Sequence, residues 1–294
     1  MALTRTLRFG STGADVMRIK QRLLALGFYA PHIKELRTET FGRDTQQAVK
    51  AYQELQALVA DGIVGPLTYA ALFPEEVNAQ AVAAIDGIPA QIGAAATEAL
   101  GNALVEANSV RRAIVLDALQ FAFDTAIPRE YPLSLYIRGG NLYNTNLLPN
   151  VITLARIASG AKRQPEFYDD GRREMMERAV LQNPGITGSD CSGGVVGLLR
   201  HAGVVKPGFD LSADGFANSN SVRQIASGDL MPADLLHKSG HIGLCVGGGY
   251  AVEWMGGAYG CQLTRIARRR GWNFVKRKED AFGSWTSFLR PNWY

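Results

Sequence analysis

Apolar residues recur at helical spacing in two stretches near the start of the chain. Asp15 to Leu26 carries Val16, Ile19, Leu23 and Leu26 and stops at Gly27; Thr45 to Leu58 carries Ala48, Val49, Tyr52 and Leu55. Both read as amphipathic helices. An internal repeat frames them: Thr38 to Val49 aligns with Asp61 to Leu72. In each copy a glycine (Gly42, Gly65) supplies a turn, and the threonine three residues on (Thr45, Thr68) is placed to cap a helix. Residues 7–73 are therefore expected to form a compact three-helix unit.

The pattern then changes. From Pro74 to Asn108 the chain is Ala-rich with scattered Gly and Pro, which reads as a linker with helical pieces. Ser109 is expected to cap a helix with Val110, Ile114, Leu116 and Phe121 on or near its buried side. The remainder alternates loops with strand-like runs at His241–Val246, Tyr250–Trp254 and Ser287–Leu289. The expected class is α+β, divided as 1–75, a linker 76–108, and 109–294.

Composition narrows the classes. At about 150 residues per domain, 294 residues suggest two domains, and 47 % hydrophobic with 20 % charged residues excludes disorder and coiled coil. A formal charge of +4 is compatible with a polyanionic partner without requiring one. The basic run Arg265 to Lys278 reads as a solvated face, so no nucleic acid is expected. Ala79 to Leu104 is interrupted by Asp86, Pro89 and Glu98 and falls short of a membrane span. Arg5 and Arg8 break the apolar core that a classical export signal needs. Three cysteines, Cys191, Cys245 and Cys261, are too few and too odd for a disulfide framework, so at least one is free or pairs between chains.

Chemistry concentrates in two places. Gly188-Ser-Asp-Cys191-Ser-Gly leads into an apolar helical run ending at Gly203. That puts Cys191 in the first turn of a helix, where free N–H groups and the dipole favour the thiolate. Alone, such a cysteine could equally be a small buried hydrophobe. Downstream, Pro232-Ala-Asp-Leu235 leads to Ser239-Gly-His241-Ile-Gly243, then Gly247-Gly-Gly249, then Tyr250-Ala-Val-Glu253-Trp254. Strand alternation puts His241, Gly243 and Cys245 on one face. A three-residue loop at 247–249 would pair Val246 with Tyr250, set Gly243 opposite Glu253 and bring Glu253 diagonally beside His241. His237 is a rival base, His201 lies too far along the Cys191 helix, and His32 belongs to the N-terminal unit.

Residues 7–73 resemble the peptidoglycan-binding domain type 1. The resemblance rests on Leu7, Gly10, Gly13, Asp15-Val16, Leu23, Leu26-Gly-Phe28, Phe41-Gly42, Thr45, Ala48-Val49, Gln53, Asp61-Gly62, Val64-Gly65, Thr68 and Leu72. Lys20 stands where that family usually has Gln, and Thr38-Glu39 replaces its Asp-Gly. Asp190 to Gly193, Pro232 to Leu235 and His241 to Gly243 resemble the NlpC-type papain-like cysteine peptidases of bacterial cell walls. That resemblance implies a Cys-bearing helix packed on an antiparallel sheet, with Cys191 as nucleophile, His241 as base and Glu253 accepting the imidazole Nδ1–H. It also implies that Tyr136, through a Tyr136-x-x-Gly139-Gly140 match, lines a substrate site formed with Asp190, Ser192 and Gly193. The segment 141–189 is an insertion relative to many members, expected to shape the substrate groove. No metal or cofactor is called for.

The expectation from both resemblances is a hydrolase of peptidoglycan stem peptides, at the bond between γ-D-glutamate and the diamino acid, held on its partner, bacterial peptidoglycan, by the N-terminal unit. The alternatives are an N-acetylmuramoyl-L-alanine amidase using the same residues and a non-catalytic wall-binding component. Lacking a classical signal, such an enzyme is expected to be made in the cytoplasm and to reach the wall through phage lysis, a virion or contact-dependent secretion.

Overall fold

The computed structural model of the protein describes residues 5–30, 34–56, 58, 60–73 and 87–294. Contacts divide the chain into two units, Met1–Val82 and Ala83–Tyr294. His32 and the first part of the expected linker, 76–86, lie outside the described residues.

The first unit packs helices α1 (Ala14–Ala25), α2 (Arg43–Leu55) and α3 (Pro66–Leu72). Val16, Ile19, Leu23, Phe41, Val49, Tyr52 and Leu72 form its core. Helix α2 ends at Leu55, earlier than expected, and Leu55 is 69 % exposed rather than buried. The threonines are not caps: Gly42 and Gly65 occupy the cap positions, and Thr45 and Thr68 lie inside the helices. At the start of α2 a carboxylate does that work. Glu35 accepts from the N–H groups of Gly42 at 2.9 Å, Asp44 at 3.1 Å and Thr45 at 2.9 Å. Burial raises the Glu35 pKa, but these donors and the hydroxyls of Thr45 and Tyr29 outweigh it and leave the carboxyl below its ordinary range.

The unusual Lys20 is explained by the repeat. Before the second copy, the Gln53 side-chain amide donates to Asp61 Oδ1 at 2.9 Å, the Ile63 carbonyl at 3.0 Å and Thr68 Oγ1 at 3.0 Å. Before the first copy, the fully buried Lys20 Nζ donates to the Glu35 and Thr38 carbonyls at 2.8 and 2.9 Å. An ammonium thus stands in for an amide as the clasp between helix and loop, and burial lowers its pKa.

The second unit contains a six-stranded antiparallel sheet whose strands, in spatial order, are Val222–Ile225, Ser287–Pro291, Leu235–Lys238, His241–Gly247, Tyr250–Trp254 and Cys261–Arg265. One face, with Leu235, Ile242, Leu244 and Val252, packs against a helix over Cys191–His201 through Val195, Val196, Leu198 and Leu199. The same core takes in Ile88, Ile92, Ala96, Leu100 and Leu104. The described part of the Ala-rich stretch, read as a linker with helical pieces, has a helix over Ala94–Val105 and is packed into this core. Its many alanines and glycines allow close approach: Gly248 backs onto the Ala99 carbonyl, where an added Cβ would sit 2.7 Å away. Asn108, not Ser109, caps the next helix, its side chain accepting from Arg111 N–H at 2.9 Å. Among the described residues no helix is long and apolar enough to cross a membrane.

Two glycines set how closely the Cys191 helix packs. A Cβ on Gly194 would meet the buried Trp254 ring at 2.3 Å, and one on Gly193 would meet the Gly140 carbonyl at 1.9 Å. Because the Gly140 contact is backbone, it cannot be relieved by a rotamer change. Gly193→Ala is expected to destabilise the second unit by about 3 kcal/mol or more. Urea unfolding followed by tryptophan fluorescence checks this, since Trp254, Trp272, Trp285 and Trp293 all lie in that unit.

Candidate active site

Strand β1 (Ser134–Tyr136) runs parallel to β2 (Thr187–Ser189), with Tyr136 opposite Ser189. The chain leaves β2 through Asp190 and enters the Cys191 helix at once. Asp190 fixes this corner: Oδ1 accepts from Gly193 N–H at 2.7 Å and the Ser192 hydroxyl at 3.1 Å, and Oδ2 accepts from Gly139 N–H at 2.9 Å. Tyr136, Asp190, Cys191 and Ser192 thereby share the lining of one cleft of about 340 Å³. Gly193 lies outside that lining and serves the close approach to Gly140. The carboxylate of Asp190 is engaged by the helix start and the Gly139 turn.

The hairpin that carries His241 and Glu253 reaches the expected parity by another route. The turn is the residue pair Gly248 (φ 59°) and Gly249 (φ 78°), Gly247 pairs with Tyr250, and the register shifts between Cys245 and Gly247. Val246 therefore does not pair with Tyr250. The irregularity restores the parity that a two-residue turn alone would reverse. Leu244 pairs with Val252, and a Cβ on Gly243 would stand 3.2 Å from the Glu253 Cβ.

Glu253 is fully buried and has three kinds of donor. His241 Nε2 lies 2.7 Å from Oε2, the Thr264 hydroxyl donates to Oε1 at 2.6 Å, and Arg269 Nε donates to the two oxygens at 3.0 and 2.9 Å. A further contact joins Arg269 Nη2 to Oε2. Burial by itself raises the Glu253 pKa, but the hydrogen bonds of His241 and Arg269 and the guanidinium charge outweigh it, holding the carboxyl below its ordinary 4.5. The ring nitrogen that meets Glu253 is Nε2, not Nδ1 as expected. Nδ1 is thus left as the nitrogen nearer the backbone. Trp285 stacks on the imidazole with centroids 5.5 Å apart and planes 13° apart.

The Cys191 sulfur sits against the backbone on both sides of His241. Its Sγ is 4.0 Å from the Gly240 carbonyl, and the Ile242 N–H hydrogen-bonds to it. Burial is the largest influence on this thiol and raises its pKa. The N–H groups of Ile242, Ser192 and Cys191 pull the other way, the Asp190 charge adds to the rise, and the net shift is upward. The helix start does not outweigh desolvation, so the expected preference for the thiolate is not met by the surroundings of the sulfur.

Several residues that pattern reading passed over meet here. Arg138, Gln164 and Asp214 line the cleft. Asp214 accepts from Gly240 N–H at 2.9 Å and pairs with His237 Nε2 at 2.9 Å, which anchors the turn before His241 and occupies the rival base. Gln164 comes from the 141–189 segment, whose helices over Leu154–Arg163 and Arg172–Gln182 pack on Leu135 and Ile137. His201 is paired with Asp117 at 2.7 Å. All three cysteines are free and buried. The basic run is not simply a solvated face, because Arg269 is 6 % exposed. Charge counting could not single it out among Arg268, Arg269 and Arg270. Among the described residues no group of three or more His, Cys, Asp or Glu is gathered as a metal site.

Glu253→Gln leaves the Arg269 guanidinium buried without its carboxylate and is expected to cost about 3–5 kcal/mol at neutral pH. The depressed folded-state pKa means that the carboxylate's contribution is full above 4.5 and is lost as pH falls through the folded value. The gap between wild type and variant in urea unfolding should therefore narrow progressively below that pH.

Residues 12–72 match the sequence profile of the family described as "Putative peptidoglycan binding domain". The chain is 39 % identical over 66 residues to N-acetylmuramoyl-L-alanine amidase CwlL of Bacillus licheniformis, and 40 % identical over 72 residues to N-acetylmuramoyl-L-alanine amidase CwlM of Mycobacterium tuberculosis. Each match covers 22 % of this chain and 18 % of the relative, so the chain spans less than a fifth of the length of these curated relatives. Among solved structures it is similar to a Burkholderia AP3 phage endolysin, with 23 % identity, a TM-score of 0.22, and 55 % of this chain and 63 % of that chain covered.

Proposed function

We propose that the protein is a peptidoglycan hydrolase that cuts stem-peptide amide bonds by a thiol mechanism and is held on the wall by its N-terminal unit. The observation that carries the reading is the meeting of Cys191, in the first turn of a helix and in a cleft with Tyr136, with the backbone flanking His241, whose ring is held by a buried carboxylate. The N-terminal match and the two amidase relatives support the wall as the place of action.

In the proposed reaction Sγ attacks the amide carbonyl while its proton passes to His241 Nδ1. Sulfur–carbon bond formation moves the carbonyl electrons onto oxygen, where the N–H groups of Cys191 and Ser192 in the first helical turn meet the charge. The imidazolium, held through Nε2 by Glu253, returns the proton to the leaving amine as the carbon–nitrogen bond breaks. Water then hydrolyses the thioester and regenerates the thiol. The resemblance of 188–256 to NlpC-type peptidases favours the γ-D-glutamyl–diamino acid bond, and the amidase relatives supply the alternative.

Purified sacculi incubated with the full chain should release cut stem peptides, identified by mass spectrometry. Intact stems freed from glycan would instead make it an amidase. Cys191→Ala should lower release by about 10³-fold or more while the protein still sediments with the sacculi. Undiminished release from that variant refutes the mechanism.

A further inference from the structure

The lining of the Cys191 cleft holds two carboxylates and one guanidinium, those of Asp190, Asp214 and Arg138. Both carboxylates are already engaged, Asp190 by the N–H groups of Gly193 and Gly139, Asp214 by Gly240 N–H and His237. Arg138 is not. Its side chain is exposed and makes no ion pair or hydrogen bond among the described residues. What it meets is a ring: its guanidinium carbon stands 4.4 Å from the centre of Phe167. Phe167 closes the short helical turn Pro165–Phe167 within the 141–189 segment, and it is firmly placed there. Tyr168 beside it is buried, and the Phe167 carbonyl lies so near Gly257 that an added Cβ on that glycine would stand 2.9 Å away. We propose that Arg138 determines the specificity of the cleft by taking a free carboxylate of the wall peptide beside the scissile amide, and that the 141–189 segment holds it ready through Phe167. The inference rests on the reading of this cleft as a peptide-cleaving site and adds which peptides it accepts.

An aromatic face attracts a cation and limits where it swings, yet no oxygen takes up the N–H donors of the guanidinium. A guanidinium held in this state is preorganised for a carboxylate, which it can meet with two parallel N–H···O bonds, and it stays charged throughout the working pH range. Wall peptides of the proposed class offer that group on either side of the bond. A γ-linked glutamate leaves its α-carboxylate free, and a diamino acid that ends the peptide leaves its own. The fixed charges of Asp190 and Asp214 repel an anion from their parts of the lining, so the attraction is concentrated at Arg138. Arg138 stands at an unspecified position of the Tyr136-x-x-Gly139-Gly140 match, and Phe167 lies in the segment that many relatives of this kind lack. The pairing of the two is therefore a property of this chain. The 141–189 segment supplies selectivity without adding a charge of its own to the lining.

Binding to the full chain carrying Cys191→Ala, followed by NMR titration, tests this without any bond being cut. The ligands are the peptide L-Ala-γ-D-Glu-L-Lys, the same peptide amidated at the glutamate α-carboxylate, and the same peptide amidated at its C-terminus. With Arg138 intact, one of the two amidations should weaken binding about tenfold, the size of one lost charge-assisted contact in a partly exposed site. Which amidation does so identifies the carboxylate that is held. Adding Arg138→Gln should weaken the free peptide by the same factor and make that amidation silent. Arg138→Lys, which keeps the charge and loses the fork, should fall between the two and serves as the second variant. Phe167→Leu should lose part of the discrimination and Phe167→Tyr should keep it. The proposal is overturned if the three peptides bind alike with Arg138 intact, if none of them binds, or if folded Arg138→Gln keeps the preference. Failure of the function reading shows elsewhere, as no release from sacculi by the chain with Cys191 intact.

Discussion

The buried Glu253 carboxylate is the constraint around which the candidate site is built. A charge placed in a protein interior is tolerated only when its lone pairs are met by donors, and Glu253 is met by a guanidinium, a hydroxyl and an imidazole from three different parts of the chain. Those donors lock one another. The Thr264 hydroxyl comes from the neighbouring strand, Arg269 from the segment beyond it, and His241 from the far strand of the hairpin. Meeting the carboxylate fixes the imidazole's tilt and commits Nε2. Trp285 is itself buried and stacks on the imidazole, and the burial of Glu253 keeps its hydrogen bonds strong.

The sulfur is governed by a different balance. A helix N-terminus stabilises a thiolate by fractions of a charge, whereas loss of solvent acts on the whole charge. At Cys191 the second effect is the larger. Under the proposed mechanism such a thiol depends on a base for each ionisation, and backbone contacts place the helix that carries it. Gly193 and Gly194 bring the helix close to the Gly140 carbonyl and the Trp254 ring, and the parallel pair β1–β2 delivers Tyr136 and Asp190 to the same corner.

The N-terminal unit shows the same logic without chemistry. Lys20 and Gln53 each lie on a helix that precedes a copy of the repeat and clasp the loop at its start, one with an ammonium and one with an amide. What the repeat preserves is a buried donor aimed at loop carbonyls, so the substitution of one residue type for another leaves the architecture intact.

Helical periodicity, the threonine–glycine repeat and the alternation around His241 were legible in the chain because each is a local pattern tied to the period of one element. They sufficed for an α+β class, three N-terminal helices and a hairpin over 241–254. Tertiary structure alone decided whatever depends on contacts between distant segments. The bulge that sets the hairpin's parity, the packing of the Ala-rich helix into the second core, and the burial that raises the Cys191 thiol have no local signature. Nor does the selection of Arg269 from a run of similar residues, since a charge is made structural only by the buried partner that folding brings to it.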